Sequence, residues 1–455
     1  MLGLVAGAGA WADELWPERI ISASDGAPGD EFGWAVSMDG NAAAVGAPGD
    51  DSDQGAVYVF RRTGIEWVEE QKLTAYNGTA GDRFGWSVAL RGDLLIVGAP
   101  YRNGYEGSAY VYAYSGTSWG LAGFFVVPDA YAGDKFGYSV AVSKHSVGEE
   151  RWNWFAVGAP KAWAPDADSG AVYIFKAGSF YQKLSGNYGM QLGFSVSLSG
   201  DMLAAGAPNY YYVTCQTGLL VTYRYNGGAW ADDFAMVPSD GCSPWHDLGR
   251  SVAAKDDLVV GGAPSWPNPG SAYVFRKDPI GYNWQEEQKF TGTTADEFGY
   301  AVALKENLIV VGAPLADGPD WDDSGLGYVY GYDGATWQEQ HRLMVGCTQP
   351  GCYAGNSVAV DVGVALMGSP GFGSSLGIVS VYRLNCPDPE VWVDFAYVGP
   401  ENGCFDTPYN TLAEGVSAIA AGETLMIKSG TTPETATISK AMTIQAYGGP
   451  VTIGQ

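Results

Sequence analysis

Apolar and polar residues alternate with a period of two in short runs along this chain, and the runs come in groups of four that return at roughly 50 to 60 residues. The second group shows the logic. Ser87-Val88-Ala89-Leu90 is small and β-branched, as suits a strand crowded against an axis. Arg91-Gly92-Asp93 reads as a tight turn, and Leu94-Leu95-Ile96-Val97 is apolar throughout, which predicts a strand buried on both faces. That strand ends at Gly98-Ala99-Pro100: glycine permits close backbone approach, and proline cannot donate to a ladder. A third strand alternates aromatics at Tyr110, Tyr112 and Tyr114. The fourth starts at a tryptophan and turns polar, as in Trp67-Val68-Glu69-Glu70-Gln71-Lys72-Leu73, the pattern of an outer edge strand.

The group recurs seven times. Its opening dipeptide is Phe32-Gly33, Phe84-Gly85, Phe136-Gly137, Leu192-Gly193, Leu248-Gly249, Phe298-Gly299 and, in a worn seventh copy, Ala354-Gly355. Its closing tripeptide is Gly46-Ala47-Pro48, Gly98-Ala99-Pro100, Gly158-Ala159-Pro160, Gly206-Ala207-Pro208, Gly262-Ala263-Pro264, Gly312-Ala313-Pro314 and Gly368-Ser369-Pro370. Outer strands follow the first six copies near Trp67, Trp119, Phe180, Trp230, Trp284 and Trp337, but none follows the seventh. A matching segment stands at the other end, Leu15 to Ile21, so the N-terminal strand is expected to complete the last sheet. The fold class is therefore all-β: a seven-bladed β-propeller over residues 13–385, closed by the N-terminal strand.

Charge narrows the partners. With 50 Asp and Glu against 24 Lys and Arg, the net charge of −26 repels nucleic-acid backbones and anionic lipid and favours divalent or cationic partners. No run is long and apolar enough to cross a bilayer. Residues 1–12 are small and apolar and end in Ala10-Trp11-Ala12, the pattern of a secretory signal remnant, so a secreted or cell-surface location is expected. Six cysteines in sequence-local pairs agree with an oxidising compartment: Cys215 with Cys242, Cys347 with Cys352, and Cys386 with Cys404 are the expected disulfides.

The Phe-Gly…Gly-Ala-Pro signature resembles the FG-GAP repeat of integrin α-subunit heads and many bacterial surface proteins, over about residues 24–384. The resemblance implies a ligand-binding propeller, with calcium loops between first and second strands. Here those turns are short, at Met38-Asp39-Gly40-Asn41, Arg91-Gly92-Asp93 and Ser199-Gly200-Asp201, and supply too few oxygens for calcium. Carboxylates cluster instead after Gly-Ala-Pro: Asp50, Asp51 and Asp53; Asp166 and Asp168; Asp317, Asp320, Asp322 and Asp323. The first and third groups are the candidate Ca2+ sites, with solvated turns as the alternative. Arg91-Gly92-Asp93 spells the tripeptide that integrins bind, yet reads as ordinary turn chemistry.

The loops after Gly-Ala-Pro share one propeller face with the connections between blades, and they are rich in rings: Tyr101, Tyr105, Trp163, Tyr210, Tyr211, Tyr212, Trp266, Trp321 and Phe372. Rings interleaved with Asp suit sugar stacking or a protein hot spot, or else wedge between blades. Residues 386–455 change pattern to a helix-like run, Leu412 to Ala421, and strand-like pieces at 424–427, 436–438 with 442–444, and 451–453. This tail resembles the cap and first coils of a right-handed parallel β-helix of the pectin-lyase-like class, cut short. The expected function is an extracellular recognition or adhesion module for glycan or protein on the loop face. The alternatives are the accessory propeller of a polysaccharide-degrading β-helix enzyme and a structural spacer of a large surface protein. No catalytic residue is assigned: His246-Asp247 with Ser243 nearby lacks an oxyanion motif.

Overall fold

A computed structural model describes residues 13–453 apart from 64–65, 128, 148–149, 164–167, 213–214, 241–245, 265–268, 279–282, 294–295, 318–321, 348–349, 362, 385–389, 397–409, 419–423, 436 and 438–441. The segment 1–12 and residues Cys242, Ser243, Trp266, Asp320, Trp321, Asp166, Cys386 and Cys404 thus lie outside the described residues. Seven sheets of the expected order are present. Blade 1 runs Ala35–Asp39, Ala42–Ala47, Ala56–Thr63 and Glu66–Leu73, antiparallel throughout. Its second strand is buried at every position, as the unbroken apolar pattern requires.

The motif residues explain the assembly. The glycine of each Phe-Gly has positive φ, 84° to 98° across the blades, which L side chains rarely adopt. Its carbonyl points at the next seam, and there the Gly-Ala-Pro glycine of the preceding blade meets it. A methyl group on Gly262 would stand closer than 3.0 Å to the Gly299 carbonyl, and the same holds for Gly46 with Gly85, Gly98 with Gly137 and, across the ring closure, Gly368 with Gly33. The two glycines of the motif thus form one blade-to-blade contact. In five blades an inner-strand serine adds a hydrogen bond to that carbonyl, for example Ser251 Oγ to Gly299 O at 2.9 Å and Ser357 Oγ to Gly33 O at 2.7 Å. The phenylalanine packs edge-on beneath third-strand rings: Phe32 is fully buried 5.5 Å from Tyr58.

Outer strands are glued by side-chain amides. Gln71, Gln182 and Gln288 each accept from the backbone N–H and donate to the carbonyl of the next blade's tryptophan, Trp119, Trp230 and Trp337, at 2.8–2.9 Å. Replacing Gln288 by alanine is expected to cost about 1–3 kcal/mol, because both backbone groups of Trp337 lose partners. Urea denaturation checks this against Gln285→Ala on the exposed side of the same strand, which should change stability by less than about 0.5 kcal/mol.

On the opposite face, the turns between first and second strands form a belt around the ring. Asp39 pairs with Arg91 at 3.0 Å, Asp93 with Lys144 at 2.9 Å, His145 with Asp201 at 2.6 Å, Lys255 with Glu306 at 3.5 Å and Lys305 with Asp361 at 2.9 Å. Ser199 Oγ accepts from Asp256 N at 3.1 Å, and Asp361 accepts from Gly40 N at 2.7 Å, which joins the last blade to the first. Arg91-Gly92-Asp93 is consumed in this belt: both charges face neighbouring blades.

The clasp differs from expectation in one respect. A single strand over Leu15 to Ile21 is expected, but two short strands are found. Arg19–Ile21 pairs antiparallel with Ile378–Arg383 and completes blade 7, whereas Asp13–Leu15 runs parallel to Trp337–Leu343, the outer strand of blade 6. Pro17 lies between them, with no N–H to donate and a fixed φ, so the chain breaks its ladder there and crosses from one blade to the next. In the tail, Glu390–Val393, Thr424–Thr432 and Thr443–Ile453 form a three-stranded parallel sheet, with the helix Leu412–Ala418 before the second strand. The expected pieces 442–444 and 451–453 belong to one strand, whose register shifts opposite Lys428 and Gly430.

Candidate recognition face

Loop-face geometry follows from isolated parallel bridges: Gly107 pairs with Phe136, Gly170 with Leu192 and Gly325 with Ala354, so each loop after Gly-Ala-Pro lies against the next blade's entry segment. In blades 1, 2 and 7 that loop is a left-handed turn, with φ of 48°, 61° and 64° at Asp51, Ser52 and Asp53. Non-glycine residues enter this region at a cost of about 1–2 kcal/mol each. The conformation aims carbonyls at the next blade: Tyr105 O accepts from Gly133 N at 3.2 Å and Lys135 N at 2.8 Å.

At the axis, the residue after each Phe-Gly forms a ring. Trp34 and Trp86 stand 4.7 Å apart, Trp86 and Tyr138 5.6 Å, and Tyr138 and Phe194 4.8 Å. Arg250 then lies 4.9 Å from both the Phe194 and Tyr300 rings, and Asn356 closes on the Trp34 carbonyl at 3.0 Å. All seven side chains are half-buried. Burial pushes the Tyr138 phenol up to about 12. The residue before each Phe-Gly gives a second, polar ring: Glu31, Arg83, Lys135, Gln191, Asp247, Glu297 and Tyr353, all with φ between 51° and 58°. Burial raises the Glu31 and Glu297 carboxyls against the pull of Arg83 and Arg250 respectively. Neither ring was among the sequence candidates. Its signal was present, since one residue per repeat stands at fixed offset from Phe-Gly, but only the ring closure gives those seven positions a common location.

Two expected site residues join this axis. Tyr101 packs 5.1 Å from Trp86 and 5.3 Å from Tyr105, so rings run continuously from the axis to the rim of blade 2. Lys135 sits 5.0 Å from the Tyr101 ring and 5.9 Å from Tyr138, makes no ion pair among the described residues, and has its pKa lowered by burial and then by the Lys161 charge. Further out, Trp163 is 66% exposed, Tyr211 62%, and Tyr105 and Tyr212 49%. Tyr210 and Phe372 are half-buried instead.

The acidic groups have partners of their own. Asp50 Oδ1 accepts from Lys72 at 2.9 Å and Tyr58 at 3.2 Å, and Asp53 from Arg83 at 3.0 Å, while Asp51 is exposed. Asp322 and Asp323 are exposed, and Asp323 N donates to Asp317 Oδ1 at 3.2 Å. Lys161 pairs with Asp168 at 3.1 Å. Cys347 and Cys352 form a disulfide across a Cα separation of 6.3 Å, and Cys215 is also disulfide-bonded. His246 and Asp247 turn to separate partners, Tyr273 at 3.3 Å and Gln216 at 2.5 Å. Among the described residues, no helix is long and apolar enough to cross a membrane.

Residues 17–60, 67–112, 119–175 and 284–330 match the FG-GAP repeat family. Those four segments are FG-GAP repeats. Each matched segment runs from an outer strand into the third strand of the following blade, and the matched blades are the four that open with Phe-Gly. The blades headed by Leu192, Leu248 and Ala354 fall outside the match. Among solved structures, the crystal structure of Saccharomyces cerevisiae Sqt1 aligns at 14% identity over 79% of this chain and 83% of that chain, with a TM-score of 0.43. No curated protein matches the chain.

Proposed function

We propose that this FG-GAP propeller is an extracellular recognition module that binds glycan or protein on its loop face. The observation that supports this most is the aromatic path Tyr105–Tyr101–Trp86 into the axial ring, flanked by the half-buried Lys135. Stacked rings offer flat apolar surface to sugar or side-chain faces, and Lys135 offers three donors to ligand oxygens. The exposed rings at Trp163, Tyr211 and Tyr212 extend the same face. The disulfide-bonded cysteines support the secreted or cell-surface location. The parallel sheet of the tail supports reading residues 386–455 as the start of a β-helix.

Immobilised neutral and acidic glycans, probed with and without EDTA, test this reading. A ligand is expected whose binding weakens about tenfold or more in Tyr105→Ala and in Lys135→Ala, the usual effect of removing a hot-spot side chain. EDTA sensitivity would indicate a divalent cation, and the candidate carboxylates to replace next are Asp50, Asp51 and Asp53 and the group Asp320, Asp322 and Asp323. Binding unchanged in all loop-face variants, or turnover of a polysaccharide, defeats the proposal.

A further inference from the structure

The repeats share a second constellation, near the loop end of the third and fourth strands. In blades 1, 3 and 5 a third-strand tyrosine (Tyr58, Tyr173, Tyr273) lies beneath the lysine opposite it (Lys72, Lys183, Lys289), with Nζ 5.2, 4.9 and 5.3 Å from the ring centroid. Blade 6 pairs Tyr328 with Arg342 at 5.7 Å, and blade 2 stacks Tyr110 on Phe124 at 6.3 Å. These pairs fill the space between the outer strands and the entry segment. Connecting acids hold the lysines there: Asp25 with Lys72 at 2.8 Å and Asp240 with Lys289 at 2.6 Å.

Blade 4 keeps the backbone and loses the pair. Val221 stands opposite Ala235 in the register that elsewhere carries tyrosine and lysine. The buried aspartate that accepts an entry-turn N–H in blades 1, 2 and 3 (Asp30, Asp82, Asp134) is Met190 here, and Asn187 N meets its sulfur at 3.1 Å. Where those two side chains are missing, a solvent-open cavity of about 370 Å³ remains, lined by Met190, Leu192, Tyr210, Tyr223 and Phe234 among others. Asp232 also lines it. The acids at the same strand position in blades 1 and 5, Glu69 and Glu286, accept from Ser24 and Ser239, whereas the shorter Asp232 makes no hydrogen bond among the described residues. Asp232 is exposed, so it presents a solvated carboxylate with no protein partner among the described residues at a cleft lined in part by rings.

We propose that this blade-4 cavity binds an arylalkylamine: the ring takes the place of the missing tyrosine and the alkylammonium pairs with Asp232. The free amine and a lysine beside an aromatic residue in a peptide offer the same chemistry. The proposal does not rest on recognition at the axial mouth, which the substitutions below leave untouched.

Protein-observed NMR titration of the full chain tests it, with tyramine as probe, p-cresol and propylamine as its halves, and a capped tyrosine–lysine dipeptide as the peptide source. Tyramine is expected to bind saturably with Kd on the order of 1 mM or tighter, as a ligand of this size allows, and each half about tenfold more weakly. Dipeptide binding tighter than tyramine points to a peptide partner, and the reverse to a free amine; either supports the cavity. Refilling the cavity with Val221→Tyr and Ala235→Lys, the residues of blades 1, 3 and 5, is expected to abolish binding and raise the melting temperature. Asp232→Asn, an exposed change that leaves packing intact, should weaken tyramine about tenfold and leave p-cresol unchanged. No saturable tyramine shift, equal binding by the refilled protein, or an Asp232→Asn variant that binds as the parent does would each overturn the proposal.

Discussion

Gly262→Ala is expected to be among the most damaging single substitutions in this chain, lowering stability by about 4 kcal/mol and the melting temperature by about 5–10 °C. The added methyl would occupy the space of the Gly299 carbonyl oxygen and also crowd Ser251 Oγ. The serine hydroxyl can rotate away, at the loss of its hydrogen bond to Gly299, but the carbonyl is backbone and cannot. Relief requires blade 5 to move from blade 6, which stretches the Ser251–Gly299 hydrogen bond of 2.9 Å and opens the packing around Phe298. Overpacking of ordinary cores costs about 1–3 kcal/mol because side chains can shift; a backbone-to-backbone clash has less room to relax. Gly120→Ala is the matched control, since a methyl there meets nothing within 4 Å and the backbone has no positive φ. That variant should stay within about 0.5 kcal/mol of the parent. Thermal and urea unfolding of both proteins check the pair, and equal stability would refute the motif's role as a blade-to-blade contact.

Removing residues 1–21 is expected to be more damaging still, converting a closed ring into an open array that unfolds in more than one step and aggregates. The deleted segment supplies the outer strand of blade 7, places Ile21 in the core between blades 7 and 1, and pairs Glu18 with Arg383. It also gives blade 6 a fifth strand, where Leu15 O accepts from Met344 N at 2.9 Å. Without it, Ile378–Arg383 becomes an exposed apolar edge with unpaired backbone groups, the kind of edge that recruits other chains. Conversely, cysteines at Ile20 and Ser380, which are register partners, should lock the closure and raise the melting temperature, since the bond would close a loop of most of the chain. Light scattering and calorimetry distinguish the three proteins; a truncated chain that melts cooperatively at the parent temperature would show that the clasp is dispensable.

Much of this architecture was legible in the residues because each repeat reports locally on itself. Period-two patterning located the strands, the apolar run before Gly-Ala-Pro marked the doubly buried one, and the missing outer strand after Tyr382 announced its replacement from the N-terminus. Reasons were less legible than positions. Gly-Ala-Pro reads as a strand terminator, yet its glycine is required by a carbonyl about forty residues further on. The exposed loop rings at Tyr105, Trp163 and Tyr211 were visible as candidates, whereas the inward course of Tyr101 toward Trp86 was not.

From the sequence alone came the repeat number, the strand order within each blade and the completion of the last sheet by the N-terminal segment, since these follow from hydrophobic periodicity and turn residues over a few positions; the crossing of Asp13–Leu15 onto blade 6 did not. Only the folded ring decided that Trp34, Trp86, Tyr138, Phe194, Arg250, Tyr300 and Asn356 share one axis, that Arg91 and Asp93 serve neighbouring blades, and that Val221 and Ala235 leave an open space. The physical reason is distance along the chain: contacts between residues some fifty positions apart exist only once rotation about a common axis has brought successive blades side by side, and no local pattern encodes that rotation.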